Sequence, residues 1–113
     1  MIKKIIPILL FTLTAATANA ANRAVEININ GIGPGVDAAA FATVKQVIGS
    51  AIANGTVDRF ELYGYAKEGG YSACAQASPF TLNIANLIQQ LRSIRPNPST
   101  TSYYVTPTTT CLP

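Results

Sequence analysis

The sequence lacks several of the residues on which protein chemistry most often depends. Its 113 residues include no histidine, no tryptophan and only two cysteines, and charged residues make up 12%. That charged share is about half the usual one for a globular domain. Histidine is the commonest general base and the commonest neutral metal ligand, so its absence weighs against acid–base catalysis and metal binding. The length leaves room for one small domain.

The N-terminal segment has the composition of a secretory signal peptide. Two lysines form a positive start, residues 5–13 are mostly apolar, and small residues lead to the sequence Ala18-Asn19-Ala20. This order is typical of a cleaved signal. A membrane-spanning helix needs about 20 mostly apolar residues, more than this stretch contains. We therefore predict that the first 20 residues are removed. The mature domain, residues 21–113, would be exported to the periplasm or the medium, with no membrane span.

Export bears on the two cysteines, Cys74 and Cys111. An even number of cysteines in an oxidising compartment predicts a disulfide. The enclosed loop is long, and the chain-entropy model gives such a crosslink roughly 4 kcal/mol of stabilisation. Redox motifs usually place their cysteines two residues apart, and two thiols without histidine make a poor zinc site. We therefore predict a structural disulfide, no metal and no cofactor.

Hydrophobic periodicity predicts four strands and two helices. Apolar and polar residues alternate from Val25 onwards, which is the two-residue period of a half-buried strand. Offsets of three and four predict an amphipathic helix over residues 38–54, with Asp37 as its N-cap and Gly55 as its left-handed C-cap. The same offsets predict a second helix over residues 81–94. The other strands are predicted over residues 57–65, 71–76 and 102–106.

The order strand, helix, strand, strand, helix, strand predicts an α+β fold of the ferredoxin-like, split βαβ type. Both helices would cover one face of a four-stranded antiparallel sheet, with strands two and four at its edges. Pro107 agrees with an edge position for the last strand. Strands three and four are not neighbours in this arrangement. The Pro/Thr-rich C-terminal segment, residues 96–113, contains the last strand and Cys111. Its final residues, 108–113, would cross the start of strand one and so bring Cys111 to Cys74.

A glycine-rich loop follows the first predicted strand. Gly31, Gly33 and Gly35 lie between a strand and a helix, where backbone N–H groups and the helix dipole can bind an anion. However, Pro34 lacks an N–H group and Asp37 would repel an anion. A tight turn that needs glycine dihedrals is the simpler interpretation, and anion binding is kept as a secondary one.

The acidic residues do not predict a catalytic pair. Asp58 and Glu61 are three positions apart on a predicted strand, so their side chains point to opposite faces. No serine is paired with a base in a recognisable motif. A small secreted enzyme, such as a hydrolase, remains an alternative and would need a cleft with a perturbed acid.

The tyrosines carry the strongest indication of function. Tyr63 and Tyr65 are two positions apart on the second predicted strand, so alternation places their side chains on the same face of the sheet. It places Phe60 and Leu62 on the opposite face. If the latter face the helices, both tyrosines lie on the open face of the sheet. We expect Tyr71 and either Tyr103 or Tyr104 to join them. Exposed tyrosines are favoured at protein interfaces. The alternatives are that they only cover the sheet or mediate self-association.

These patterns favour a small exported protein that binds a protein or another cell-envelope partner, without catalysis. Two alternatives are an anion or small-ligand binder that uses residues 31–35, and a protease-inhibitor-like protein with a constrained tail. Six basic residues remain against five acidic ones once the two N-terminal lysines are removed. Only Arg92 and Arg95 lie close together, which argues against nucleic-acid binding.

Overall fold

The described chain is an α+β fold built on one sheet. A computed structural model describes residues 22–112, so the predicted signal peptide lies outside the described residues. The elements are β1 (Ala24–Gly31), α1 (Ala38–Ala53), β2 (Val57–Tyr65), β3 (Gly70–Ala77), α2 (Ala85–Arg92) and β4 (Thr101–Thr108). The four strands are all antiparallel to their neighbours and lie in the order β2-β3-β1-β4. The predicted α+β class, four-stranded antiparallel sheet and two helices are confirmed.

Helix α1 begins and ends where its capping residues predict. The Asp37 carboxylate accepts a hydrogen bond of 3.1 Å from the Ala40 N–H, which satisfies one of the free donors of the first turn. At the other end Asn54 is the C-cap, and Gly55 follows with a φ of 84°. A positive φ of this kind is the left-handed conformation that glycine adopts without steric cost.

Helix α2 is shorter than its sequence pattern predicts. The pattern extends over residues 81–94, whereas the helix spans Ala85–Arg92. The hydroxyl of Thr81 donates a hydrogen bond of 2.9 Å to the carbonyl of Thr56, which places Thr81 in a turn before the helix. Leu82, which the helical pattern assigned to the buried face, is 88% exposed. Hydroxyl side chains that bond to backbone groups compete with helix formation in this way.

The hydrophobic core lies between both helices and one face of the sheet. Alternate residues of β1 and β3 point into it and meet the buried positions of α1 and α2. Each fully buried aliphatic side chain contributes about 1.5–3 kcal/mol relative to exposure. The largest of these fully buried side chains are Val25, Ile27, Ile29, Val44, Val57 and Leu91.

The opposite face of the sheet is partly covered by the C-terminal tail, which we define as residues 109–112. The tail leaves β4 and returns towards β3, where Cys111 forms a disulfide with Cys74. Both sulfur-bearing residues are buried in a small cluster with Ala24, at the start of β1. The predicted disulfide is therefore confirmed, and the tail passes over the start of strand one to make it.

Candidate functional site

Tyr63 and Tyr65 do not share a face of the sheet. The register between β2 and β3 shifts between Leu62 and Gly64, which marks a β-bulge. One extra residue in a strand reverses the faces of the residues that follow it. Tyr65 lies opposite Tyr71, on the side of the helices, and is 78% exposed at the sheet edge. Tyr63 lies on the open face, where its hydroxyl accepts a 3.1 Å hydrogen bond from the N–H of Leu112.

The other three tyrosines are also separated. Tyr71 is buried on the helix side, with its ring 5.0 Å from that of Phe41 in an edge-on arrangement. Tyr103 is half-buried on the same side, and its hydroxyl donates to the carbonyl of Leu91. Burial raises the pKa of Tyr71 and of Tyr103 to about 12. Tyr104 is 64% exposed and lies on the open face, in the edge strand opposite β2.

The predicted tyrosine surface is therefore not assembled. The open face carries only Tyr63 and Tyr104 from the set, and these lie on opposite edges of the sheet. Three inter-strand steps separate those edges, which is roughly 14 Å. Tyr63 is also in contact with the tail through its hydroxyl. A partner would have to span the whole sheet to touch both rings.

Several backbone N–H groups of the glycine-rich loop are already bonded within the protein. The N–H groups of Gly31, Ile32 and Val36 donate to carbonyls of two neighbouring loops at 2.8–3.0 Å. The N–H of Asp37 donates to the hydroxyl of Thr101 at 2.8 Å. Phosphate-binding loops work because such N–H groups are free to point at the ligand. This geometry agrees with the interpretation of the loop as a tight turn.

Two of the acidic side chains, Glu61 and Asp37, have structural partners, although one carboxylate oxygen of Glu61 is buried without a hydrogen-bond partner. Glu61 forms an ion pair of 2.6 Å with Arg59, which also donates a 2.8 Å hydrogen bond to the carbonyl of Leu112. The Asp37 carboxylate accepts hydrogen bonds from the N–H groups of Ala40 and Asn97, which lower its pKa. Within residues 22–112, no group of three or more acidic or cysteine side chains is arranged to hold a metal ion.

The C-terminal tail lies flat against the sheet instead of presenting an extended loop. The N–H of Cys111 donates to the Gln76 side-chain oxygen at 3.1 Å. Leu112 is held through its N–H by Tyr63 and through its carbonyl by Arg59. An inhibitory loop has to offer its backbone to a protease, and these backbone groups are already bonded within the protein. Residues 111 and 112 are therefore not presented as an inhibitory loop.

The most exposed large apolar side chains occupy the connection between β3 and α2, which we call the apolar turn (residues 78–82). Phe80 is 93% exposed and Leu82 is 88% exposed, the two highest values for large apolar residues in the described chain. Helical periodicity places Leu82 on a buried helix face, and no sequence pattern marks Phe80. Their neighbours Ser78 and Pro79 are turn-forming residues, which was the available signal.

The backbone of the apolar turn is held in place from two directions. The guanidinium of Arg23 donates to the carbonyls of Thr81 and Ser78, at 2.5 and 2.7 Å. From the other side, the carbonyl of Thr56 accepts the N–H of Ser78 and the hydroxyl of Thr81, both at 2.9 Å. Hydrogen bonds from a charged donor are among the stronger ones in proteins. Phe80 and Leu82 are thus displayed on a fixed backbone.

No family model, curated protein or solved structure matches this chain. No helix among residues 22–112 is long and apolar enough to cross a membrane. Inference about function therefore depends on the geometry of the chain itself, and the apolar turn is its most distinctive exposed feature.

Proposed function

We propose that this chain is a small exported protein that acts by binding another protein, and that the apolar turn is its contact surface. The observation that carries the proposal is the near-complete exposure of Phe80 and Leu82 on a backbone fixed by hydrogen bonds. Aromatic residues are enriched at interface cores, and buried aromatic anchors dominate binding energies. Burial of each side chain in a partner would contribute about 1.5–3 kcal/mol.

The fixed backbone of the apolar turn supports the proposal that Phe80 and Leu82 are exposed in order to bind a partner. A mobile loop loses conformational entropy when a partner orders it, whereas a loop that is already ordered avoids this cost. The Arg23 guanidinium and the Thr56 carbonyl together order the apolar turn before any partner arrives. The partner that fits this shape is a protein with an apolar pocket that accepts a phenyl ring and a leucine side chain.

Export is supported by two independent features. The first 20 residues have the pattern of a secretory signal, and disulfides persist mainly in oxidising compartments. The Cys74–Cys111 disulfide is buried within the described domain, as a structural crosslink would be. The periplasm and the external medium both satisfy these features.

We also assign the topology to the ferredoxin-like arrangement. The chain runs βαββαβ, and its sheet order read from β4 is β4-β1-β3-β2. The packing of both helices against one sheet face supports the same assignment. The assignment concerns shape alone and carries no function with it.

A comparison of three forms of the chain tests the proposed function. The wild-type chain, the double variant Phe80→Ser/Leu82→Ser and the control Ile32→Ser are immobilised and exposed to periplasmic extract and culture medium of the source organism. Ile32 is a suitable control because it is exposed and apolar but lies in a different loop. Bound proteins are identified and quantified by mass spectrometry.

We expect a protein that the wild type and Ile32→Ser retain equally and that the double variant retains at least about tenfold less. The double variant should unfold at the same denaturant concentration as the wild type, because its side chains are exposed. Equal retention by all three forms would show that the apolar turn is not the contact surface.

A further inference from the structure

A groove of about 640 Å³ lies between the end of α2 and the edge strand β4. This volume is within the range of about 300–1,000 Å³ that small-molecule sites occupy. Its lining combines apolar side chains with two arginines; the side chains that matter here are Arg92, Ile94, Arg95, Pro96, Pro98 and Tyr103. The groove is distant from the apolar turn in sequence and shares no lining residue with it.

The walls of the groove are fixed by hydrogen bonds. The carbonyl of Asn97 accepts the N–H groups of Thr100 and Thr101, at 3.1 and 2.9 Å. The N–H of Asn97 donates to the Asp37 carboxylate at 3.0 Å. On the other side, the Tyr103 hydroxyl is held by the carbonyl of Leu91. The groove is therefore formed before a ligand binds.

Neither arginine of the groove forms an ion pair within the described chain. The ion pair that the structure gives for residues 22–112 joins Arg59 to Glu61 and involves neither groove arginine. The Asp37 carboxylate holds the groove loop through the N–H of Asn97, and the structure gives it no ion pair with either arginine. Arg92 uses one donor on the Val105 carbonyl at 3.2 Å, out of the five that a guanidinium has.

Helix electrostatics explain only one of these arginines. A basic residue in the last turn of a helix interacts favourably with the helix dipole, and Arg92 is in that position. Arg95 lies beyond the end of α2, in the loop that forms the groove wall.

We infer that this groove binds a small organic anion, namely a carboxylate carried on an apolar ring or chain. A guanidinium pairs with a carboxylate through two parallel hydrogen bonds, and two adjacent guanidiniums favour the anion over a neutral analogue. The proline, isoleucine and tyrosine walls accept the apolar part of the ligand. This inference is independent of the apolar turn, since the two sites use different residues.

A titration of the isotopically labelled full chain, followed by NMR, tests the inference. The probes are phenylacetate, the neutral phenylacetamide and inorganic phosphate. We expect phenylacetate to shift the side-chain signals of Arg92 and Arg95 and the backbone signal of Tyr103, with Kd on the order of 1 mM for so small a probe. Phenylacetamide and phosphate should each bind about tenfold more weakly.

Each other outcome counts against the inference. Equal binding of phosphate would show that the apolar walls contribute nothing, and equal binding of phenylacetamide would show that the arginines contribute nothing. The absence of shifts at the groove would overturn the site itself.

Two variants that each remove one positive charge distinguish binding in the groove from general electrostatic attraction of the anion to the protein. Arg95→Gln should weaken phenylacetate binding about tenfold, because one guanidinium–carboxylate pair is lost. Lys45→Gln removes the same charge on α1, where the lysine lies over the ring of Phe41, and should leave binding unchanged. An equal loss in both variants would overturn the inference. Phe80→Ser/Leu82→Ser should retain phenylacetate binding, so failure of one proposal leaves the other open to test.

Discussion

The two faces of the sheet are stabilised in different ways. The helix side buries aliphatic side chains between strands and helices, with Ile27 as a fully buried example. The open side is polar, and the chain covers part of it with its own tail, held by the Cys74–Cys111 disulfide and by hydrogen bonds to Gln76. A small two-layer domain has only one face on which apolar burial can operate. On the face that the helices leave open, a disulfide takes the place of apolar burial.

Of the changes considered, removal of the disulfide should lower the free energy of unfolding most. The crosslinked cysteines are 37 residues apart, and for that separation the chain-entropy model predicts that Cys74→Ala/Cys111→Ala lowers the free energy of unfolding by about 4 kcal/mol. Urea denaturation measures the loss. In the fraction that stays folded, the amides of residues 111 and 112 should exchange faster than in the wild type, while that of Ile27 stays protected. A loss below about 1 kcal/mol would mean that hydrogen bonds alone hold the open side.

Two neighbouring positions of β1 provide the next test, because they face opposite sides. Ile27→Ala should lower the free energy of unfolding by about 3 kcal/mol through lost burial and the cavity left behind. Asn28 accepts a hydrogen bond from the hydroxyl of Ser72 on the open side, so Asn28→Ala should cost only about 1 kcal/mol. Chemical denaturation of both variants gives the ratio of the two losses in the free energy of unfolding. Equal losses would abolish the distinction between the two faces.

A rise to alkaline pH should destabilise the helix side, where two tyrosine hydroxyls are partly buried. Tyr71 and Tyr103 have pKa values raised to about 12 by burial, against an ordinary value of 10.0. The unfolded chain therefore releases these protons at lower pH than the folded chain. The contribution of these two hydroxyls to stability should be constant below about pH 10 and fall as the pH rises towards 12. Denaturation midpoints across this range measure the fall, and Tyr103→Phe should make it shallower. An unchanged slope in this variant would contradict burial of the hydroxyl.

The order of the elements was predictable because local signals and tertiary structure agree. Asp37 and Gly55 bound the first helix by capping chemistry that depends on adjacent residues. The alternation that begins at Val25 reflects a strand with one apolar and one polar face. The disulfide followed from having two cysteines, since one pairing is then possible.

The candidate surface was not predictable, because it depends on contacts between distant segments. The turn that precedes α2 is held by Thr81 bonding to Thr56, which lies 25 residues earlier. Leu82 falls in phase with a buried helical face, so periodicity assigns it to the core although it lies outside the helix. Similarly, one bulged residue between Leu62 and Gly64 separates two tyrosines that simple alternation places together.

The hydrogen bonds of Arg23 make the order of the apolar turn depend on where the N-terminus of the domain lies. Its guanidinium holds the apolar turn, yet the residue precedes β1 and belongs to neither helix nor core. Proteolytic trimming as far as Arg23 would release the carbonyls of Ser78 and Thr81 without removing a single core side chain. The position of the final N-terminus would then determine how stiffly Phe80 and Leu82 are displayed.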